Sequence, residues 1–134
     1  MRVPLVMLLV SISTIAMAAC SVRPDGSNGL QRAFDVPGVK YEQAYHRADS
    51  YFRQCVRGFV GLSPNVTTGN IYADSNSAEL QTMNGSGIIV ARVNIAATTT
   101  GSHVNVVTIR APAWNAKDLD AIQAAVKSGD IVCK

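Results

Sequence analysis

Side chains that carry chemistry are scarce in this chain. Its 134 residues hold 2 histidines, 3 cysteines and 1 tryptophan, with 6% aromatics and 16% charged residues. The cysteines form no Cys-x-x-Cys, and their spacing fits no zinc pattern. His46 and His103, taken with Asp49 or Glu42, share no recognisable metal spacing, so no metal is expected. No phosphate-cradling glycine loop is present. The length allows one domain, which excludes a multidomain enzyme, a β/α barrel and a full dinucleotide-binding fold. Charge falls below the roughly 25% of ordinary globular chains, yet the hydrophobic share is 48%, so the chain is not disordered as a whole.

Much of that hydrophobic content sits at the start. Met1-Arg2 is positive, an apolar run follows to about Ile15, and Ala16, Met17, Ala18, Ala19 and Cys20 close it. A positive start, a short apolar core and a small-residue end are the parts of an export signal. The run is shorter than the ~20 apolar residues of a spanning helix, and Ser11, Ser13 and Thr14 interrupt it. Two cleavage sites fit. Ala16-Met17-Ala18 suits cleavage after Ala18. Met17-Ala18-Ala19-Cys20 resembles the bacterial lipobox, with Met17 where that pattern usually has leucine. Cysteine parity favours the second: an odd cysteine in an exported protein needs a reason, and a lipid on Cys20 leaves Cys55 and Cys133 to pair.

Signal and Cys20 together resemble the small lipoproteins of proteobacterial envelopes. The resemblance implies removal of residues 1–19, an acylated Cys20 as mature N-terminus, a membrane partner through that lipid, and no other cofactor. Ser21 after the cysteine, in place of aspartate, implies the periplasmic face of the outer membrane. In that oxidising compartment Cys55 and Cys133 are expected to form a disulfide. Without Arg2 the side-chain charge falls from +3 to +2, too weak a surplus to indicate nucleic acid.

Residues 20–38 read as the lipidated end and a flexible tether. Pro24, Asp25-Gly26, Asn28-Gly29 and Pro37-Gly38 are breakers, and Phe34 and Val36 are the side chains it would dock on the domain edge. Residues 39–134 form the single domain. Tyr41, Ala44, Tyr45, Ala48, Tyr51, Phe52, Cys55 and Val56 recur at helical steps. Gly58 marks the helix end, and Asp49 and Arg53 stand at a favourable i,i+4 spacing. Three tyrosines on that face read as a core stripe with hydroxyls at the rim.

The period then changes to two. Strands are expected at 66–73, from Ala78 to about Met83, at 88–97 and at 103–111. Asp74-Ser75-Asn76-Ser77, Asn84-Gly85-Ser86-Gly87 and Thr98-Thr99-Thr100-Gly101-Ser102 turn the chain between them. In the last strand Val104 and Val106 mark one face while Val107 and Ile109 mark the other, which means a bulge or two covered faces. Asn115 caps a second helix, with Asp118 at its third position and Trp114 and Leu119 spaced as a hydrophobic staple. Gly129 ends it. The expected fold is a two-layer α+β sandwich, order α-β-β-β-β-α, with an antiparallel sheet of about four strands and both helices on one face.

Catalytic patterns are missing. Gly85-Ser86-Gly87 lacks the spacing and following helix of a nucleophile elbow. Ser102 and His103 are neighbours on a strand, so they point to opposite faces. Asp74, Glu79, Asp118 and Asp120 stand singly. The sequence therefore points to a non-catalytic interaction or scaffold module, with the uncovered sheet face or an edge strand as its site and an envelope protein as its partner. A small-ligand binder, for which Tyr45, His46 and Asp49 are the candidate residues, and a hydrolase inhibitor acting through a loop at residues 63–69 are the alternatives.

Overall fold

The computed structural model describes residues 29–58, 64–109 and 114–133. Residues 1–28, with the expected export signal and Cys20, lie outside them. Strand β1 (Gly29–Pro37) leads into helix α1 (Tyr41–Cys55). Strands β2 (Val66–Tyr72), β3 (Ser77–Met83), β4 (Ile89–Ala97) and β5 (Gly101–Ile109) follow, then helix α2 (Ala116–Ser128). The class is α+β, with one antiparallel sheet in the order β1-β5-β4-β3-β2.

The sheet has five strands where about four were expected, and the order is β-α-β-β-β-β-α. The extra strand corrects the tether. Residues 29–37 pair with β5 along their whole length, from Gly29 opposite Ile109 to Pro37 opposite Gly101. Their inward side chains are Leu30, Arg32, Phe34 and Val36. Phe34 and Val36 are buried, and the Arg32 guanidinium lies 2.7 Å from Asp120 and donates to Gln123 on α2. Lys127 of α2 stands 5.8 Å over the Phe34 ring, a cation–π distance. Pro37 is tolerated because it ends an edge strand.

Both helices cover the same face. Ala44, Ala48, Tyr51 and Phe52 of α1 and Leu119, Ile122, Ala125 and Val126 of α2 pack on Leu80, Val93, Ile95, Val104 and Val106. A helix of 15 residues is about 22 Å long at 1.5 Å per residue, close to the width of a five-stranded sheet at about 4.8 Å per strand. So α1 crosses most of the sheet, packing on edge strand β2 and on the interior strands β3, β4 and β5. The α2 start is as expected. Asn115 accepts at 2.8 Å from the Lys117 N–H, Asp118 accepts at 2.7 Å from the Asn115 N–H, and Trp114 packs half-buried 6.2 Å from the Phe52 ring. Gly129 ends α2 at φ 85°, the left-handed conformation that favours glycine.

The phase slip in β5 is not a bulge, since β5 keeps continuous register with β1 and β4. Val107 turns to the second sheet face, where it and Val90 are each only 7% exposed. An irregularity occurs instead at Thr82/Met83, against β4.

Cys55, at the last turn of α1, and Cys133 are bridged across a sequence separation of 78, with Cα atoms 5.1 Å apart. The bridge ties the segment after α2 to the end of α1.

Candidate functional site

Tyr45, His46 and Asp49 do not converge on one pocket. Residues four apart share a helix face, whereas the next residue is turned about 100° away. Tyr45 lies over Gly69 of β2: a Cβ added there would stand 2.6 Å from the phenol oxygen. Asp49, one turn on, accepts from Arg53 Nε at 2.8 Å. His46 is exposed, edge-on to Tyr45 with ring centroids 5.4 Å apart. It opens instead on a cleft of about 600 Å³ shared with Lys40, Glu42, Arg47 and Ile131, which neither Tyr45 nor Asp49 lines. The expected ligand trio is thereby divided between two surfaces.

Arg47 is the best-placed cation of that cleft, and its guanidinium is already engaged. Nη1 donates to the Val126 carbonyl at 2.9 Å and to the Lys127 carbonyl at 2.8 Å. These carbonyls have no partner within a helix end, and a cation there also meets the negative end of the dipole. Arg47→Met is expected to destabilise the fold by about 2 kcal/mol, the scale of hydrogen bonds to a charged group. Urea unfolding should show it as a lower midpoint with an unchanged slope.

Burial holds the Tyr45 phenol above its ordinary pKa; Asp49 adds to the shift and Arg53 opposes it. Burial raises Tyr51 too, with Asp118 second. The fold thus favours the neutral phenols. Their contribution is complete below the unfolded value of about 10 and is lost as pH rises through the higher folded values. Thermal midpoints should therefore fall above about pH 10. The fall should be smaller in Tyr51→Phe, relative to that variant's own midpoint at neutral pH.

The two sheet edges differ. β1 carries Arg32, Asp35 and Pro37, residues of the kind that blunt an edge. β2 reads Val-Thr-Thr-Gly-Asn-Ile-Tyr, without charge, proline or a bulge against β3. Three of the five exposed large hydrophobic residues among those described, Val66 (52%), Ile71 (39%) and Tyr72 (44%), lie on this strand; Ile88 and Val132 lie off it. On its core face Tyr45 closes over Gly69, and Thr67 and Thr82 hydrogen-bond at 3.0 Å. The Asp49–Arg53 pair lies on α1, the helix that packs on β2. The unguarded composition was visible in the sequence. What it lacked was the strand order that puts these residues at an edge.

The second sheet face is polar along most of its width. Arg92 lies 3.2 Å from Glu79, Gln81 donates to Glu79, and Gln31 donates to Asn105. His103 and Asp35 meet at 2.7 Å, while Ser102 is buried on the opposite face. Glu79, Asp118 and Asp120 are thus held in contacts within the fold. Asn84-Gly85-Ser86-Gly87 is a turn, with Asn84 Oδ1 accepting from the Ser86 and Ile88 N–H groups. The expected loop at 63–69 is corrected in part: Val66 to Gly69 belong to β2, and Ser63 lies outside the described residues. Among the described residues no group of three or more His, Cys, Asp or Glu is placed to hold a metal, and no helix is long and apolar enough to cross a membrane. No protein-family model matches the chain, and no curated protein matches it.

Proposed function

We propose that this chain is a lipid-anchored envelope protein that acts as a non-catalytic interaction module, held on the periplasmic face of the outer membrane through Cys20. The binding surface is the free edge of β2. The observation that carries the reading is the contrast between edges: β1 is guarded by charge and proline, while β2 gathers Val66, Ile71 and Tyr72 on an uncharged strand. An open strand offers a row of backbone N–H and C=O groups, and a partner that adds a strand satisfies them while its side chains meet these residues. The anchor rests on the lipobox resemblance and on the pairing of the other two cysteines.

Single photocrosslinking side chains at Thr68 on β2, Ala33 on β1 and Asn94 on the second face test the edge in living cells. Adducts should form from Thr68 and be at least tenfold weaker from the other two. Equal yields from the three positions, or none from Thr68, would contradict the reading.

The small-ligand alternative keeps one observation in its favour, the cleft of about 600 Å³ beside His46 and Lys40. Its strongest cation, Arg47, serves as a helix cap, which leaves the cleft second to the edge.

A further inference from the structure

We infer that the strand added to β2 is β2 of a second copy, paired antiparallel about Gly69 so that two five-stranded sheets become one. The inference rests on the edge reading above and names its partner.

The strand is close to self-complementary by residue class. Antiparallel pairing centred on Gly69 sets Val66 opposite Tyr72, Thr67 opposite Ile71 and Thr68 opposite Asn70, with glycine facing glycine at the two-fold axis. On the second sheet face this makes an aliphatic–aromatic pair at each end and polar pairs between them, both favourable across strands. On the helix face the Ile71 side chain, 39% exposed in the single copy, gains the partner's Thr67 methyl as a neighbour. The absent side chain at Gly69 is what lets Tyr45 lie over the strand, so each copy brings its own Tyr45 ring to the axis on the helix face.

Charge permits the same pairing. β2 has no charged residue, so two copies meet without like-charge repulsion. Asp49 and Arg53 on α1, the helix that packs on β2, form an ion pair with each other and add no net charge beside the strand. A contact of this kind is isologous and closed, so it stops at the dimer. The far edge of each sheet is β1, which is guarded.

The test uses the full chain in its own membrane. Two differently tagged copies are expressed together, one with the photocrosslinker at Thr68. The expected product is an adduct between the two tags. Register is read separately: Thr68→Cys and Asn70→Cys copies, mixed under mild oxidation, should form a disulfide-linked dimer at least tenfold more readily than Thr68→Cys mixed with Tyr72→Cys. Asn70→Lys, at an exposed position, should abolish the dimer and leave a folded monomer whose melting temperature no longer depends on protein concentration. An adduct to a different protein with none between tags overturns the second-copy inference and leaves the edge reading standing. No adduct of either kind overturns both.

Discussion

Paired replacement of Cys55 and Cys133 by serine is expected to lower stability by about 4 kcal/mol, because the bridge closes a long loop and removes that entropy from the unfolded chain. The sequence separation is 78, at which the logarithmic dependence on loop length is already nearly flat. A domain of this size has about 5–15 kcal/mol in total, so the loss leaves a marginal fold. The melting temperature should drop by about 15–30 °C. Folded protein from a reducing compartment should show the same loss, and re-oxidation should restore it. The effect is entropic in this model and does not need tight packing around the sulfurs. Cys133 is exposed and Cys55 half-buried, so replacement by serine leaves no large cavity. A drop of only a degree or two would mean that the segment after α2 is held by other contacts.

Phe52→Ala is expected to cost about 3–5 kcal/mol, the range for a fully buried phenylalanine. Phe52 is 0% exposed and lies on α1, facing the sheet, with Trp114 and Tyr51 rings 6.2 and 6.0 Å away. Its removal leaves a cavity between the layers, and Trp114 loses the ring it packs on. Since Trp114 is the single tryptophan, its fluorescence should shift to the red in the folded variant. Chemical denaturation would give the free energy from the midpoint and slope. Cys55 lies one turn from Phe52, so the two losses should not add; a double-mutant cycle would return a coupling of about 0.5–3 kcal/mol.

Local patterns that repeat within a few residues were legible in the sequence. The α1 stripe, the Asn115 cap with Asp118 and the Gly129 end appear where expected, and β2 to β5 lie within a few residues of their expected spans, with β5 starting at Gly101 inside the expected turn and ending at Ile109. β1 was not legible. Its inward side is Leu30, Arg32, Phe34 and Val36, and the arginine breaks the apolar alternation in a short segment framed by Gly29 and Pro37. The group that makes Arg32 acceptable there is Asp120, on α2, and no local window contains both. The same limit hid the site. A four-stranded meander would leave both β2 and β5 as edges; β1 covers β5 and carries its own charge and proline, so β2 stays as the unguarded edge. Tyr45 belongs to the apolar stripe of α1 and His46 and Asp49 to its polar positions, so their closeness in sequence does not fix a shared site. Helical geometry turns His46 away from the other two, toward the cleft beside α2.

The three cysteines carry the central claim: Cys55 and Cys133 form the staple, and Cys20 is the proposed anchor. Intact mass of the chain extracted from membranes, before and after thiol alkylation under denaturing conditions without reductant, reads both assignments at once. The expected result is a chain beginning at Cys20, heavier by its acyl groups, with no alkylatable thiol. A chain beginning at Ala19 without lipid, or two alkylated cysteines at 55 and 133, would contradict the account.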